Sequence, residues 1–151
     1  MSAFIQELFY GSSLYEDSKR LREEILRRPI GRVLDEKDLQ GEDRQIHIAA
    51  VEDSFSVVGT VILKPGSSRN ITLRQMAVAN SAQGRGLGRD LVKTAEVIAA
   101  ARGFDRVDMH ARTEAQGFYE KLGYHTEGDT FIEFGSVPTI IMTRDLLVPT
   151  R

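Results

Sequence analysis

The chain has 151 residues, 41% of them hydrophobic and 28% charged, so it can bury one core and leaves little room for two; we predict a single domain over residues 1–151. Its formal net charge of −2 argues against nucleic acid as the main partner, and the absence of cysteine excludes disulfides, thiolate metal sites and a cysteine nucleophile. The three histidines lack metal-ligand spacing, and no secretory leader or bilayer-spanning apolar run is visible, so we expect a cytoplasmic protein without a metal or membrane partner.

The N-terminal part of the chain predicts a helix and a loop. Ser13 and Glu16 have the spacing of a capping box, in which each side chain satisfies a backbone donor, and Pro29 would end the helix that begins there. The stretch 35–43 is acidic and contains glycine, which is typical of a loop. We therefore expect one amphipathic helix before the first strand.

The middle of the chain predicts three strands followed by a helix. The segments 45–51, 56–63 and 71–78 are rich in β-branched residues and are separated by turn residues. Apolar residues then recur at helical spacing over 87–102. Three glycines lie within residues 83–88, so a glycine-rich loop is expected where the third strand runs into this helix.

The C-terminal third predicts a strand, a short helix and two further strands. Residues 105–110 form the strand, and Thr113 with Gln116 is spaced as a second capping box for a helix that ends at Leu122. The two further strands are expected at 130–134 and 139–143. Strands that alternate with helices in this way indicate an α/β domain.

The glycine-rich loop, Gln83-Gly84-Arg85-Gly86-Leu87-Gly88, is suited to bind a phosphate or pyrophosphate. Backbone N–H groups at the start of a helix are unpaired, and the helix dipole makes their surroundings positive. The glycines let a ligand approach the backbone closely, and Arg85 and Arg89 add positive charge. A Walker A loop is excluded by the lack of Gly-Lys-Ser/Thr, and the dinucleotide motif by Arg89 at its third glycine position. A turn that binds no ligand is the remaining alternative.

Two motifs of the chain resemble the GNAT acyltransferase family. The loop at 83–88 is similar to the family's acyl-CoA loop, Q/R-x-x-G-x-G/A, and residues 115–124 resemble its segment A-x-x-F-Y-x-K-L-G-F/Y. The resemblance extends over roughly 73–143, whereas the N-terminal half agrees only in its general pattern. It implies an α/β (α+β) fold in which helices flank a mixed central sheet whose central strands are splayed.

The resemblance also implies an acetyl-CoA-dependent N-acetyltransferase, in which an acceptor amine attacks the bound thioester directly. Backbone N–H groups of 84–89 would bind the pyrophosphate, and Met76 and Val78 would bind the pantetheine arm. Tyr119 would act as the general acid that protonates the leaving sulfur, or would simply hydrogen-bond it. A bulge after Met76 would separate the central strands, and the N–H of Val78 would face the thioester oxygen. The residues expected at the cofactor are Met76, Ala77, Val78, Gln83, Gly84, Arg85, Gly86, Leu87, Gly88, Arg89, Arg112 and Phe118.

Three site positions have alternative interpretations. Arg112 stands where the family commonly has an asparagine that contacts CoA. Its two other interpretations have equal weight: it binds a substrate anion or a carboxylate, or it is a solvated arginine at a strand end. Tyr119 also has the spacing of a packed aromatic residue. His110 ends a strand near the proposed cleft, and we expect it to be a buried, hydrogen-bonded histidine. By residue type alone, the candidates for the general base are Glu114, Glu133, His47 and His110.

The acceptor is not identified by these motifs. Its pocket is expected around 21–43, where Arg27, Arg28 and Arg32 would attract an anion and the acidic stretch would attract a cationic amine. The other interpretations are an acyl-CoA sensor that has lost turnover and a phosphate-binding protein of another fold. Tyr119 argues against both, and a homodimer is one alternative to a monomer.

Overall fold

The computed structural model describes residues 3–147, which contain seven strands in one mixed sheet. The strands are β1 (Ala3–Leu8), β2 (Ile46–Glu52), β3 (Val57–Pro65), β4 (Asn70–Val78), β5 (Arg106–Arg112), β6 (His125–Glu133) and β7 (Val137–Asp145). Their order across the sheet is β1-β2-β3-β4-β5-β7-β6. Neighbours are antiparallel except β4 and β5, which are parallel, so two antiparallel halves meet at one parallel pair.

The helices lie on both faces of this sheet. They are α1 (Ser13–Arg22), α2 (Glu36–Leu39), α3 (Leu87–Ala101) and α4 (Gln116–Lys121). Helix α1 continues through a π turn at Glu23–Arg27 and a 3-10 turn at Arg28–Ile30, and further 3-10 turns cover Glu42–Arg44, Asn80–Ala82 and Thr113–Ala115. None of the helices within residues 3–147 is long and apolar enough to cross a membrane.

The two faces of the sheet carry separate cores. On one face Leu91 and Ala95 of α3 pack in the larger cluster, together with Leu73 of β4. On the other face Leu21 of α1 packs in a smaller cluster with Ala77 of β4. The predicted mixed sheet flanked by helices is confirmed, and the strand and helix predictions between 45 and 110 agree with β2, β3, β4, α3 and β5 to within two residues at each end.

The N-terminal predictions need three corrections. Strand β1 was not predicted, and the proposed loop at 35–43 contains α2, where Asp35 and Asp38 cap each other's backbone. The capping box at Ser13 is wrong by one residue, because Ser12 is the N-cap and its hydroxyl accepts from the N–H of Tyr15. Ser12 and Ser13 are both residue types that favour the N-cap position, so the sequence alone does not choose between them. The extended backbone of Ser12 identifies it as the N-cap.

The C-terminal predictions need two corrections. The capping box at Thr113 and Gln116 is wrong, because Thr113 begins a 3-10 turn and α4 has no side-chain cap. Strands β6 and β7 are both present, and β6 begins five residues earlier than predicted, at His125. Most of β6 is exposed, so it lacks the apolar alternation that would have indicated its full length.

The central strands β4 and β5 separate, as predicted. Their parallel pairing runs only from Asn70 with Arg106 to Thr72 with Asp108. Further along β4, a bulge shifts the register against β3 and leaves one extra residue between Arg74 and Ala77. The left-handed residue of this bulge is Gln75 (φ 57°), one position earlier than the predicted bulge after Met76.

Candidate active site

A cleft of about 1050 Å³ fills the space between the separated strands. Met76 and Val78 of β4 line one side of the cleft, and Met109 to Arg112 of β5 line the other. The glycine-rich loop closes one end, and Phe118 and Tyr119 of α4 also line the cleft. Most of the residues predicted to contact the cofactor therefore border one cavity.

The glycine-rich loop presents the N-terminus of α3 to this cleft. Gly84 (φ 81°) and Gly86 (φ 75°) both have left-handed backbone, which side-chain-bearing residues rarely adopt. Gly86 is the N-cap of α3 and provides no side-chain hydrogen bond, so the first amides of a 15-residue helix keep their donors for a ligand. A Cβ on Gly84 would meet nothing within 4 Å, which means that the space above this residue is open.

Gly88 has a different role from the one predicted for the loop glycines. A Cβ at this position would lie 3.3 Å from Cζ of Phe118 and 3.4 Å from Cε of Met76. Gly88 therefore allows α3, α4 and the bulge of β4 to approach one another closely. Its contribution is the packing of two side chains that line the cleft.

The backbone of Val78 points its polar groups toward the cleft. The N–H of Ala79 donates to the carbonyl of Val58 at 2.8 Å, so Ala79 belongs to a hydrogen-bonded pair with β3. Antiparallel pairs alternate, and Val78 opposite Gly59 is then a pair whose N–H and C=O face away from β3. In agreement with this, the Gln83 side chain donates to the Val78 carbonyl at 3.1 Å. The Val78 N–H therefore points toward β5, where it can donate a hydrogen bond to a ligand.

Tyr119 is packed and also reaches the cleft, so both interpretations of its spacing apply. Its side chain is 6% exposed, and its ring lies 4.9 Å from that of Phe118 and 5.8 Å from that of Tyr124. Within residues 3–147 the Tyr119 hydroxyl has no hydrogen-bond partner. Every fully buried polar side-chain atom in this part of the chain does have a partner, so the Tyr119 hydroxyl is not fully buried and is accessible from the cleft. Burial raises the pKa of Tyr119 above its usual value, so the hydroxyl remains protonated at neutral pH.

The loop and the tyrosine lie inside a region that matches a known family. A family model described as "Acetyltransferase (GNAT) family" matches residues 11–124. The chain belongs to the GNAT acetyltransferase family. A Bacillus subtilis (strain 168) protein provisionally named as an acetyltransferase is 33% identical to it over 116 residues, which are 77% of this chain and 76% of the relative.

Solved structures show the same fold as this GNAT protein. A provisionally assigned N-acetyltransferase from Lactobacillus plantarum has a TM-score of 0.85 at 23% identity, over 97% of this chain and 100% of its own. An aminoglycoside 6'-N-acetyltransferase, solved in complex with coenzyme A, has a TM-score of 0.72 at 19% identity, over 98% of this chain and 99% of its own. At these identities the likeness establishes the fold alone.

Of the four candidate bases in this GNAT protein, two lie at the cleft and contact each other. His110 Nδ1 is 3.0 Å from Oε2 of Glu133, and both residues line the cavity. The prediction that His110 is buried is wrong, because its side chain is 53% exposed, although it is hydrogen-bonded. His47 is buried against the Glu42 carbonyl and Glu114 is exposed; neither lines the cleft.

Arg112 lies on the opposite side of β5 from the residues of α4. Met109 and Ala111 point into the core beneath α3, so the alternation of the strand directs His110 and Arg112 to the face that carries α1. The Arg112 guanidinium donates to the carbonyl of Leu26 at 2.8 Å, at the end of the first helical segment. Arg112 thus lines the cleft from the face that carries α1, whereas Phe118 and Tyr119 line it from the other face.

The bulge of β4 is anchored by a buried ion pair that sequence reasoning did not find. Arg22 and Glu42 are both fully buried and form a bidentate pair, and Nε of Arg22 donates to Oε1 of Gln75 at 3.2 Å. Arg74, next to the bulge, also donates to Glu42 at 2.9 Å. A signal was present, because Arg22 follows the buried Ser18 by four residues and so lies on the same face of α1.

Proposed function

We propose that this GNAT protein is an acetyl-CoA-dependent N-acetyltransferase that transfers the acetyl group to a primary amine. The observation that supports this most strongly is that one cleft contains three suitable groups. They are the uncapped N-terminus of α3 at Gly86, the cleft-facing N–H of Val78, and the accessible hydroxyl of Tyr119. An anion site, a donor for a carbonyl oxygen and a donor for a leaving group are what thioester aminolysis needs.

In this proposal the donor binds along β4. The amides of residues 84–89 hold the pyrophosphate, with charge from Arg85 and Arg89. The pantetheine arm adds as a strand beside Met76 and Val78, on the edge that β5 leaves open. The N–H of Val78 then donates to the thioester oxygen as negative charge develops on it.

Bond making and breaking involve only the two substrates. The amine nitrogen attacks the carbonyl carbon, the C–N bond forms, and the C–S bond then breaks. An ammonium substrate gives an amide, the CoA thiol and one released proton. Ordinary pKa values are about 8.5 for a thiol and about 10 for a phenol, and burial raises that of Tyr119 further. We infer that Tyr119 donates a hydrogen bond to the leaving thiolate and retains its proton. The thiolate is then protonated from water, which receives the protons that the amine loses.

His110 is the base that we propose for the amine. The Glu133 carboxylate accepts hydrogen bonds only, so the neutral imidazole carries its proton on Nδ1, facing Glu133. The lone pair of Nε2 is then available to take a proton from the incoming ammonium. Glu133 orients the ring and stabilises the imidazolium that forms.

The first test is binding followed by turnover. Calorimetric titration should give saturable one-to-one binding of acetyl-CoA, and a thiol-release assay across a panel of primary amines should show amine-dependent CoA formation. Binding without turnover on any amine would favour the acyl-CoA sensor. No binding at millimolar acetyl-CoA would contradict the donor assignment itself.

A further inference from the structure

We propose that the acceptor amine carries a carboxylate and that Arg112 binds it. The inference rests on the proposed acetyl transfer, because it concerns the second substrate of the same cleft. It identifies a class of acceptor, amines with a carboxylate close to the amino group, such as free amino acids. Arg112 is then a specificity-determining residue on the acceptor side of β5.

The first observation is that the guanidinium of Arg112 is partly buried and has N–H donors that bind no other group within residues 3–147. A guanidinium has five N–H donors, and the contact with the Leu26 carbonyl engages one of them. Within residues 3–147 no carboxylate lies within ion-pair distance of Arg112. Burial lowers the pKa of Arg112 and the charge of Arg27 adds to this, whereas Glu114 and Glu133 offset it only from beyond ion-pair distance. An anion brought to this place would therefore be bound by a cation without a direct counter-charge.

The neighbouring buried arginines show what Arg112 lacks. Arg22 is paired with Glu42, and Arg27 forms a 2.8 Å ion pair with Asp38. Both carboxylates lie in the segment that follows α1. Arg112 borders the same segment and the open cleft, and the matching carboxylate is absent from the described part of the chain. A planar guanidinium fits a carboxylate in a two-pronged geometry, so a substrate carboxylate is a suitable counterpart.

The second observation is the placement of Arg112 relative to the proposed base. His110 and Arg112 are two residues apart on one face of β5, which separates their Cα atoms by about 7 Å. An amine at His110 and a carboxylate at Arg112 would therefore belong to one small molecule. Glu133 lies beside His110 and would repel a doubly charged group, so the site favours a carboxylate over a phosphate.

The overall charge of the cleft agrees with this class of acceptor. The lining contains six arginines and lysines, and of these Arg27, Arg74 and Arg89 are paired with Asp38, Glu42 and Asp90. Lys37, Lys64 and Arg112 form no ion pair within residues 3–147, against Glu133 as the one lining carboxylate that is not paired with an arginine. A substrate with several amino groups and no anion would be repelled by such a lining. An amine whose charge is balanced by its own carboxylate would not.

Matched amine pairs test the proposal by thiol release. L-phenylalanine is compared with phenethylamine, L-lysine with cadaverine, and β-alanine with O-phosphoethanolamine. For the first two pairs we expect kcat/KM of the amino acid to exceed that of its decarboxylated amine by about 10- to 150-fold, the range of one charge-assisted hydrogen bond. For the third pair we expect β-alanine to react faster than O-phosphoethanolamine. Arg112→Gln should reduce this preference to near parity, and Arg112→Lys should keep an intermediate preference. Arg28→Gln is the control, because Arg28 is exposed and outside the cleft.

Two results would overturn the proposal: a preference for the amines without a carboxylate, or a carboxylate preference that survives in Arg112→Gln. Faster turnover of O-phosphoethanolamine than of β-alanine would replace the carboxylate by a phosphate. If no amine is acetylated, the proposed function fails. Calorimetric titration of the CoA-saturated protein with N-acetyl-L-phenylalanine still tests Arg112, since binding must weaken by a similar factor in Arg112→Gln.

Discussion

Replacing Glu42 by glutamine is expected to destabilise the protein severely. The Glu42 carboxylate is fully buried and accepts hydrogen bonds from Arg22, from Arg74 at 2.9 Å and from the Tyr15 hydroxyl at 2.7 Å. In Glu42→Gln the equally buried Arg22 guanidinium loses its counter-charge. The NH2 group of the new glutamine also points its N–H donors at the N–H donors of the arginines. Removing one partner of a buried pair costs about 3 to 5 kcal/mol.

The assay is thermal unfolding of the wild type and the variant, followed by circular dichroism. For a chain of this size, each kcal/mol shifts Tm by about 2 to 4 °C, so the Tm should fall by about 6 to 20 °C. Glu24→Gln is the matched control, because the Arg20–Glu24 pair is about half exposed on both sides and should contribute less than about 1 kcal/mol. Equal losses in the two variants would refute the reasoning.

Three further predictions concern single side chains. Tyr119→Phe should lower kcat by about 10- to 150-fold, the effect of one hydrogen bond to a charged group, and leave acetyl-CoA affinity in calorimetry nearly unchanged; unchanged kcat would make Tyr119 structural. Gly88→Ala should weaken acetyl-CoA binding, because the new methyl group displaces two side chains that line the cleft, and unaltered affinity would contradict this. Burial lowers the pKa of His47, so the unfolded chain takes up its proton first as the pH falls below about 6.5. Lowering the pH from about 7.5 to about 5.5 should therefore reduce the wild-type Tm more than that of His47→Gln, and equal reductions in the two proteins would contradict this.

The parts of the structure that were predictable are those where local pattern and chemistry coincide. Glycines at a strand-to-helix junction require left-handed backbone, and Gly84 and Gly86 have it. The β-branched runs of β2 and β3 are buried along nearly their whole length, so their composition alone indicated strands. The separation of β4 and β5 was predicted from the resemblance to the GNAT family and not from the periodicity of the sequence.

The parts that were missed depend on contacts distant in sequence. Gln75 adopts a left-handed conformation that its residue type does not favour, and the Arg22–Glu42 pair that holds it joins residues 20 positions apart. His110 was expected to be buried, because nothing local reveals that β5 leaves β4 at this point. Strand alternation directs Arg112 to the face of the sheet that carries α1. The sequence contains this alternation, but the two faces can be told apart only in the folded structure.

The most direct test of acetyl transfer is to follow acetyl-CoA and one amine together by NMR. The proposed function predicts that the N-acetyl amine appears in equal amount to the acetyl-CoA consumed, and that no free acetate accumulates. Acetyl-CoA that binds but stays intact in the presence of every amine tested, or that is only hydrolysed to acetate, would contradict it.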